Sequence, residues 1–308
     1  MTPAITVESL HKTFGSFVAV DHVSFEVGQG EIFGWLGANG AGKSTTIRML
    51  IGVMPPTSGD AVVGGRRVAS DPIGVKRRIG YMSQKFSLYP DLTVRQNLQF
   101  FGGAYGLTPA RIRDRIAAVS DEVDLDGLID AVTGDLPGGT RQRVALGASL
   151  LHEPGIVFLD EPTAGVDPIS RRRFWALIRK LAGQGTTVFV TTHHLDEAEQ
   201  CARIGLMVDG RLVALDTPPN LAATWVPGEL YRLTGRGIHH AAGPLRELAG
   251  VVELEPFGAA LHVRVTGTPP DAILARARTV SPDAAIERTR ATLEDVFLAV
   301  VRRPKEAA

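Results

Sequence analysis

The chain has 308 residues, enough for two domains with cores of their own, and 44% of them are hydrophobic. That content excludes a disordered composition. Lys and Arg together number 33 and so do Asp and Glu, so the balanced charge gives no electrostatic support for nucleic-acid binding.

No apolar run reaches the length that a bilayer-spanning helix requires, and from the polar N-terminus we expect no signal peptide. Cys201 is the one cysteine, which excludes an internal disulfide and suits a reducing cytosol. We predict Cys201 on a helix, as a small buried apolar residue. No cluster of Cys and His with metal-ligand spacing is visible.

The first part of the chain is predicted to form short strands joined by turns. Apolar runs predict strands over 5–10, 24–27, 32–36 and 61–63. The third of these leads into Gly-Ala-Asn-Gly-Ala-Gly-Lys-Ser at 37–44, which fits the phosphate-loop pattern G-x-x-x-x-G-K-[S/T]. A helix is predicted directly after it, from Lys43 to Ile51.

The residue types of this loop suit phosphate binding. Gly37, Gly40 and Gly42 let the backbone turn with its N–H groups pointing inward, as a nest for phosphate oxygens. Lys43 can reach the β- and γ-phosphates, and the Ser44 hydroxyl can ligate Mg²⁺. The positive end of the predicted helix faces the same anion. The alternative is a glycine-rich turn with an incidental lysine, which the flanking strand and helix disfavour.

From Ser87 to about Leu136 the pattern becomes helical. Thr93 and Gln96 form a capping box for a helix through Tyr105. Thr108-Pro109 supplies an N-cap and a first-turn proline for another helix.

A second candidate site follows at the end of the apolar strand predicted over 155–161, where Asp160 and Glu161 stand side by side. In a phosphate-loop ATPase, an Asp at such a strand end holds Mg²⁺. Glu161 is then placed to accept a proton from an attacking water. The alternative is a solvated acidic turn, which the upstream loop disfavours.

The remaining chain predicts a helix, a buried strand and a second domain. Phe174, Leu177, Ile178 and Leu181 have helical spacing and are followed by Gly183 and Gly185. TTVFVTT is a buried strand leading to His193. We expect a boundary at 216–219, giving domains over 1–217 and 218–308. In the second domain we predict strands over 251–254 and 261–265, a turn at Gly258, and a final helical stripe of Leu293, Val296, Phe297 and Val300.

Over about residues 4–217 the sequence resembles the ATP-binding cassette (ABC) family. Seven spaced elements carry the resemblance, in the family's order. They are Phe14 in HKTFGSF, the loop at 37–44, Gln84 in IGYMSQKFSLYP, LPGGT at 136–140 before RQRVALG, Asp160-Glu161, Asp167 in AGVD, and His193 in VTTHHLDEAE.

The resemblance implies a role for each position. Phe14 would stack on adenine, although it could simply be core. Gln84 would touch Mg²⁺ and sense the membrane partner, unless it is an ordinary loop residue. Asp167 would belong to the loop that crosses to the partner subunit, and His193 would contact the γ-phosphate, with His194 its variable neighbour. The nucleotide would be bound through Gly37, Asn39, Gly40, Ala41, Gly42, Lys43, Ser44 and Thr45, and the metal through Ser44, Gln84 and Asp160.

The signature segment departs from the family's common Leu-Ser-Gly-Gly-Gln. Here it is Leu136-Pro137-Gly138-Gly139-Thr140, and in the family it lies across the ATP of the opposite subunit. Pro137 has neither a hydroxyl nor an N–H, whereas the N–H groups of Gly138 and Gly139 remain. A missing hydrogen bond to a charged group costs about 1.5–3 kcal/mol. We expect a slower but hydrolytically competent site.

The implied fold class is α/β, a phosphate-loop ATPase of ABC cassette type with a helical subdomain over about 86–140, plus a small C-terminal α+β domain. The implied ligands are ATP and Mg²⁺. The implied partners are a separately encoded membrane permease and a second cassette, identical or paralogous, at the cytoplasmic face of the membrane. The closing ATLEDVFLAV resembles the daunorubicin-resistance-like drug-export branch, which favours export of a drug-like, lipid or other hydrophobic cargo.

Two other functions stay open at this point. One is a soluble ATP switch acting on ribosomes or in DNA repair, although such proteins usually carry two cassettes or a long coiled-coil insert. The other is a regulatory cassette that does not hydrolyse ATP, suggested by Pro137 and opposed by Glu161 and His193.

Overall fold

The structure is a computed structural model that describes residues 2–85 and 87–306, with side chains described through residue 300. Phe86, where the predicted helical subdomain begins, and residues 307–308 of the predicted second domain lie outside the described residues. The chain divides into two units, Met1–Pro218 and Pro219–Ala308.

The described residues form fourteen strands and eleven α-helices. The strands are β1 (Ile5–Phe14), β2 (Phe17–Val27), β3 (Ile32–Leu36), β4 (Ser58–Val63), β5 (Arg66–Arg67), β6 (Ile79–Met82), β7 (Ile156–Asp160), β8 (Thr187–Thr192), β9 (Arg203–Val208), β10 (Arg211–Asp216), β11 (Glu229–Thr234), β12 (Val251–Phe257), β13 (Ala260–Val265) and β14 (Ala285–Thr289). The helices are α1 (Lys43–Leu50), α2 (Pro72–Lys76), α3 (Val94–Ala104), α4 (Pro109–Glu122), α5 (Gly138–Leu150), α6 (Pro168–Gly183), α7 (Leu195–Ala198), α8 (Pro218–Trp225), α9 (Ala242–Arg246), α10 (Pro270–Arg278) and α11 (Leu293–Glu306).

Two sheets build the first unit within the described part of the chain. One has the order β2-β1-β4-β5 and is antiparallel. The other has the order β10-β9-β3-β8-β7-β6 and is parallel except for β10 at its edge. Every residue of β7 and β8 is buried, as expected for parallel strands covered on both faces.

An aromatic cluster fills the core of this unit. The rings of Phe25 and Phe33 stack 5.4 Å apart, and Trp35 lies 4.7 Å from Phe25. Phe158 and Phe189 extend the cluster along the parallel sheet. Because β2, β3, β7 and β8 all contribute, the core joins the two sheets into one scaffold.

The helical segment between β6 and β7 begins with the predicted caps. The Thr93 side chain accepts a hydrogen bond from Gln96 N, and the Gln96 side-chain oxygen accepts one from Thr93 N. This reciprocal pair starts α3. Thr108 caps α4, with Pro109 at the first helical position. The buried Asn97 side chain donates to Tyr89 O and to Thr133 Oγ1, so it ties α3 to the loop before it and to the segment that follows α4.

The second unit is an α+β structure. Its described strands form an antiparallel sheet of order β12-β13-β11-β14. The predicted pairing of the segments at 251–254 and 261–265 is confirmed, with Leu254 opposite Val263 and a positive φ of 57° at Gly258 in the turn. This unit has its own hydrophobic core, which contains Leu233, Ile238 and Ile273 together with inward residues of β13.

Several boundaries differ from the sequence predictions. Cys201 lies after α7, which ends at Ala198, so its predicted helix is wrong. Its side chain is buried as expected, and burial raises the pKa of its thiol far above the usual range. Strands β1 and β2 run well beyond the predicted 5–10 and 24–27, because irregular pairing between Val7 and Thr13 interrupts the apolar alternation. Helix α1 ends at Leu50 with Ile51 as its cap, and α3 ends at Ala104 with Tyr105 as its cap. Within the described residues, no helix combines the length and apolar character needed to cross a bilayer.

Candidate functional site

The predicted site residues follow the carboxyl ends of adjacent parallel strands. Leu36 of β3 pairs with Thr192 of β8, and Asp160 of β7 pairs with Thr191 of the same strand. Met82 of β6 pairs with Leu159. The phosphate loop, His193, Glu161 and Gln84 therefore leave the sheet at one edge, which is where open α/β sheets bind their ligands.

The phosphate loop joins β3 to α1 in a backbone form that requires glycine. Gly42 is the N-cap of α1 with φ 103°, and a Cβ there would lie 2.3 Å from the carbonyl oxygen of Ala19 in β2. A Cβ at Gly37 would lie 2.5 Å from the carbonyl oxygen of Met207 in β9. The loop is thus held against two neighbouring strands, with Asn39 and Gly40 exposed and Ala41 buried at its turn. Thr45 lies partly buried in the first turn of α1.

Lys43 points back into this loop. Its Nζ donates to Gly37 O at 2.8 Å and to Ala38 O at 3.2 Å. The same Nζ lies 3.2 Å from Oε1 of Glu161, and both side chains are buried. Lys43 therefore links the loop that follows β3 to the carboxylate that follows β7.

Ser44 and Asp160 supply oxygen ligands suited to a divalent cation. Ser44 Oγ donates to Asp160 Oδ1 at 3.1 Å. The Thr191 hydroxyl donates to the same Oδ1 at 2.6 Å, which fixes the orientation of the buried carboxylate. Hydroxyl and carboxylate oxygens are ligands that Mg²⁺ accepts, and this ion usually keeps waters and takes the rest of its shell from phosphates. The donor set fits the predicted Mg²⁺ site.

Glu161 is the centre of the cluster. Its backbone has a φ of 49°, which is uncommon for a non-glycine residue. Thr191 holds this conformation, since its carbonyl and its hydroxyl both accept from Glu161 N. Gln84 Nε2 donates to Glu161 Oε2 at 3.0 Å, and His193 Nδ1 lies 3.2 Å from the same oxygen. The structure thus brings Lys43, Gln84 and His193 onto one carboxylate.

Phe14 lies at the end of β1 and is 48% exposed. The alternative that it belongs to the core is therefore excluded for this chain. Lys12 Nζ lies 5.3 Å from the centre of its ring, so the ring is already used as a face for a cationic group. Strand β2 of the same hairpin lies against Gly42 of the phosphate loop. The exposed ring of Phe14 is therefore compatible with stacking on a base.

The signature residues lie at the start of α5, outside the cluster around Glu161. Pro137 is the N-cap of this helix without a side-chain hydrogen bond, and both Pro137 and Gly138 are exposed. A Cβ at Gly139 would lie 2.5 Å from Cβ of Ser170, so this glycine permits α5 to approach α6.

Asp167 acts as the N-cap of α6 in the isolated chain. Its carboxylate accepts from Ser170 N and Ile169 N, each at 3.0 Å. These hydrogen bonds, Ser170's above all, hold the pKa of the Asp167 carboxyl below its usual range. Within the described residues, the exposed side chain of Asp167 does not contact Lys43 or Glu161. Its predicted role across a subunit interface stays a prediction.

Sequence reasoning did not identify Thr191 and Glu197. Thr191 orients both Asp160 and Glu161, as described above. Glu197 is buried in α7, where Thr163 and Thr192 donate to its carboxylate and Arg171 lies 3.4 Å away. Thr191 and Thr192 at the end of the buried strand β8 could have indicated this network in the sequence, because buried hydroxyls require hydrogen-bond partners.

Comparison with known proteins assigns this arrangement to a family. The sequence model described as "ABC transporter" matches residues 20–164. A probable multidrug ABC transporter ATP-binding protein, YbhF of Escherichia coli K12, is 51% identical over 225 residues, which cover 72% of this chain and 39% of that protein. The chain therefore spans about two fifths of the length of this relative.

Two further relatives are matched over most of their length. The linearmycin resistance ATP-binding protein LnrL of Bacillus subtilis is 37% identical over 77% of this chain and 76% of its own. The Nod factor export ATP-binding protein I of Ralstonia nicotianae is 34% identical over 98% of this chain and 95% of its own.

Solved structures give the same answer for the fold. CbiO1 of Clostridium perfringens, part of an ABC transporter complex, superposes with a TM-score of 0.67 at 27% identity, covering 72% of this chain and 92% of that one. The dimeric ATP-binding cassette MJ0796, in a post-hydrolysis state bound to ADP and Pi, gives a TM-score of 0.63 at 25% identity, covering 69% and 98%. The predicted α/β phosphate-loop fold is confirmed.

Proposed function

The chain belongs to the ABC transporter ATP-binding family, and we propose that it is the MgATP-hydrolysing motor subunit of a membrane exporter. The observation that carries the proposal is the convergence of Lys43, Ser44, Asp160, Glu161 and His193 at one sheet edge. A loop for phosphate, two oxygen ligands for a cation and a base beside them are the parts that hydrolysis of a nucleoside triphosphate requires.

The contacts of these residues support a division of labour. Lys43 and the loop N–H groups would hold the β- and γ-phosphates, and Ser44 and Asp160 would hold Mg²⁺. When bound, this ion would neutralise part of the phosphate charge. Glu161 would accept the proton of the attacking water. Because Lys43 now contacts the Glu161 carboxylate, a bound phosphate would draw the ammonium away and free that carboxylate to act as a base.

The second part of the proposal is a dimer with two composite sites. In it, Gly138 and Gly139 at the start of α5 would face the nucleotide held by the other subunit, with Asp167 at the crossing loop. The exposed position of Pro137 and Gly138 supports this, as does the dimeric state of the structurally similar MJ0796 cassette. Pro137 removes the hydroxyl and the N–H that a serine would offer there but leaves the helix N-terminus, which favours an anion.

The third part is docking on a separate membrane permease at the cytoplasmic face of the membrane. Tyr89 and Phe100 are about half exposed, and their rings meet edge to face at 5.0 Å on the helical segment. Phe101 extends this aromatic patch, with its ring 5.4 Å from that of Phe100. Exposed aromatic clusters are typical of protein interfaces. The segment lies in the chain between Gln84 and the signature residues, so docking and phosphate binding can influence each other.

The named relatives support export rather than import. Their printed names refer to multidrug transport, linearmycin resistance and Nod factor export. We propose a drug-like, lipid or other hydrophobic cargo of the same broad kind.

A tagged pull-down from detergent-solubilised membranes of the native host tests the proposal. We expect a stoichiometric multi-span membrane protein to be recovered with the chain. A variant in which Tyr89 and Phe100 are both replaced by Ser should lose this partner while binding ATP normally. Val252→Ser, at an exposed position of the second unit, serves as the control for a lost exposed apolar side chain. Recovery of ribosomal proteins in place of a membrane protein would overturn the proposal.

A further inference from the structure

The hairpin of β1 and β2 holds three metal-ligating side chains that the proposed ATPase does not use. They are His11, Asp21 and His22, and one ligand atom from each lies within 4.8 Å of the other two. They differ in kind from the Ser44–Asp160 site, since two of the three ligands are imidazole nitrogens.

A β-bulge creates the cluster. Leu10 pairs with Val23 and Lys12 with Val20, so His11 on β1 lies opposite both Asp21 and His22 on β2. His22 has a φ of 48°, outside the usual range for its residue type in a strand. In consequence the two imidazole rings lie face to face, with their centroids 4.3 Å apart.

Two of the three distances between ligand atoms are close to those of a tetrahedral shell. Oδ1 of Asp21 lies 2.8 Å from Nδ1 of His22 and 3.5 Å from Nδ1 of His11. Ligands held at about 2.0–2.1 Å from a zinc ion in a tetrahedron are about 3.3 Å from one another. Side-chain movements of less than an ångström would bring these two distances to that value, and rotation of the stacked rings would direct their in-plane lone pairs at one ion.

The Nδ1 atom of His11 is available to bind a ligand. Its side chain is 14% exposed, and its Nδ1 is buried with no hydrogen-bond partner. A buried polar atom without a partner is uncommon and unfavourable. A metal ion at the bulge would occupy this lone pair.

Asp21 is prepared to act as the anionic ligand. Nε of Arg211 lies 2.9 Å from its Oδ2, which leaves Oδ1 facing the two histidines. A carboxylate oriented by a second group is the arrangement found in metal sites.

We propose that His11, Asp21 and His22 form a binding site for a Zn²⁺-type divalent cation, with solvent at the remaining position. Two imidazoles and a carboxylate suit Zn²⁺ and its late transition-metal neighbours, whereas Mg²⁺ and Ca²⁺ prefer oxygen ligands alone. The exposed His22 leaves one side of the site open. A metal here would cross-link β1 to β2 three residues from Phe14, the ring at the end of the hairpin. The cluster has no signature in the sequence, because His11 and Asp21 meet only through the bulge.

Titration calorimetry of the purified full chain with Zn²⁺, in buffer with millimolar Mg²⁺, tests the site. The excess Mg²⁺ occupies oxygen-only sites. We expect one Zn²⁺ per chain in the wild type and at least a tenfold loss of affinity in His22→Gln. His240→Gln is the matched control, since His240 is an exposed histidine of the second unit, and it should bind as the wild type does.

Thermal unfolding distinguishes a lost ligand from a damaged fold. Because His22 is largely exposed, His22→Gln without zinc should unfold within about 2 °C of the wild type, and it should lack the zinc-induced rise of the midpoint that binding to the native state produces. His11→Gln should show the same loss of zinc response. Wild-type protein that binds no Zn²⁺, or His22→Gln that binds it with unchanged affinity, would overturn the proposal, and either result leaves ATP hydrolysis untouched.

Discussion

The ammonium of Lys43 lies 3.2 Å from the carboxylate of Glu161, and both side chains are buried among residues of the sheet edge. The two residues come from different loops, 118 positions apart by their numbers, and each has further partners. Lys43 donates hydrogen bonds to two loop carbonyls. Glu161 accepts a hydrogen bond from Gln84 and lies beside the imidazole of His193. The pair couples the group that would bind phosphate to the group that would activate water.

Replacing Lys43 by Ala should remove most nucleotide binding. The variant loses a charge-assisted contact to phosphate, and it also leaves Gly37 O and Ala38 O without their donor. We expect ATP to bind roughly 10- to 100-fold more weakly, from about 1.5–3 kcal/mol for a hydrogen bond to a charged group. Equilibrium binding of a fluorescent ATP analogue measures this. Lys180→Ala, at an exposed position of α6, is the control, and equal affinity in the two variants would contradict the assignment of Lys43.

Replacing Pro137 by Ser should strengthen the association of two chains in the presence of ATP. The change restores a hydroxyl at the exposed start of α5, where Pro137 makes no capping hydrogen bond. Serine at an N-cap also stabilises a helix by about 1 kcal/mol. Sedimentation in ATP, in a Glu161→Gln background to prevent turnover, should show a larger dimer fraction. Ser170→Ala in α6 tests whether any gain is specific, and a fall in the dimer fraction for Pro137→Ser would refute the proposed interface.

Replacing Glu197 by Gln should destabilise the first unit without touching the phosphate loop. The carboxylate accepts from Thr163 and Thr192 and lies beside Arg171, all in a buried setting. An amide keeps the volume but loses the charge and presents N–H groups to donors. We expect a loss of about 1.5–3 kcal/mol in the free energy of unfolding, measured by urea denaturation. The exposed neighbour Glu199→Gln should change it by less than about 0.5 kcal/mol, and equal effects in both variants would contradict the buried network.

Replacing Asp295 by Asn should destabilise the second unit in a pH-dependent way. Asp295 lies 3.2 Å from Nδ1 of His262 and accepts from Thr292 N and Oγ1, which anchors α11. Burial alone would raise the pKa of Asp295, but the hydrogen bonds from His262 and Thr292 outweigh it and leave the pKa below its usual range. A lowered folded pKa means that the stabilisation is present above the ordinary aspartate pKa and disappears as the pH falls through the folded value.

Urea denaturation of this variant and the wild type across the acid range measures the effect. The difference in the free energy of unfolding should be largest near neutral pH and should shrink once the wild-type carboxyl is protonated. Glu294→Gln, one position away and exposed, should show little difference at any pH. A difference for Asp295→Asn that does not change with pH would show that the carboxylate's charge is irrelevant there.

The sequence was sufficient for the fold class, because the phosphate loop and the buried runs of β3, β7 and β8 each have a local signature. It located poorly the ends of β1 and β2, where a bulge breaks the alternation that strand prediction depends on. Helix α7 proved too short to include Cys201.

The site shows the same division between local and long-range information. Lys43, Ser44, Asp160 and Glu161 stand in motifs, so their types and positions were visible. The contacts of Thr191 with Asp160 and Glu161, and of Thr163 with Glu197, join buried polar atoms that are 30 to 34 residues apart in the sequence. Such contacts depend on which strands pair in the sheet, and they leave no periodic pattern in the sequence.

The most direct test is the rate of ATP hydrolysis by the purified protein, with its membrane partner if one is recovered, compared with its Glu161→Gln variant. Glutamine is close to glutamate in size but cannot accept the proton, so hydrolysis should fall about 10²- to 10⁴-fold. ATP binding, measured on the same samples, should stay within a factor of a few of the wild type. If Glu161→Gln hydrolyses ATP as fast as the wild type, Glu161 is not the base and the proposed mechanism is wrong.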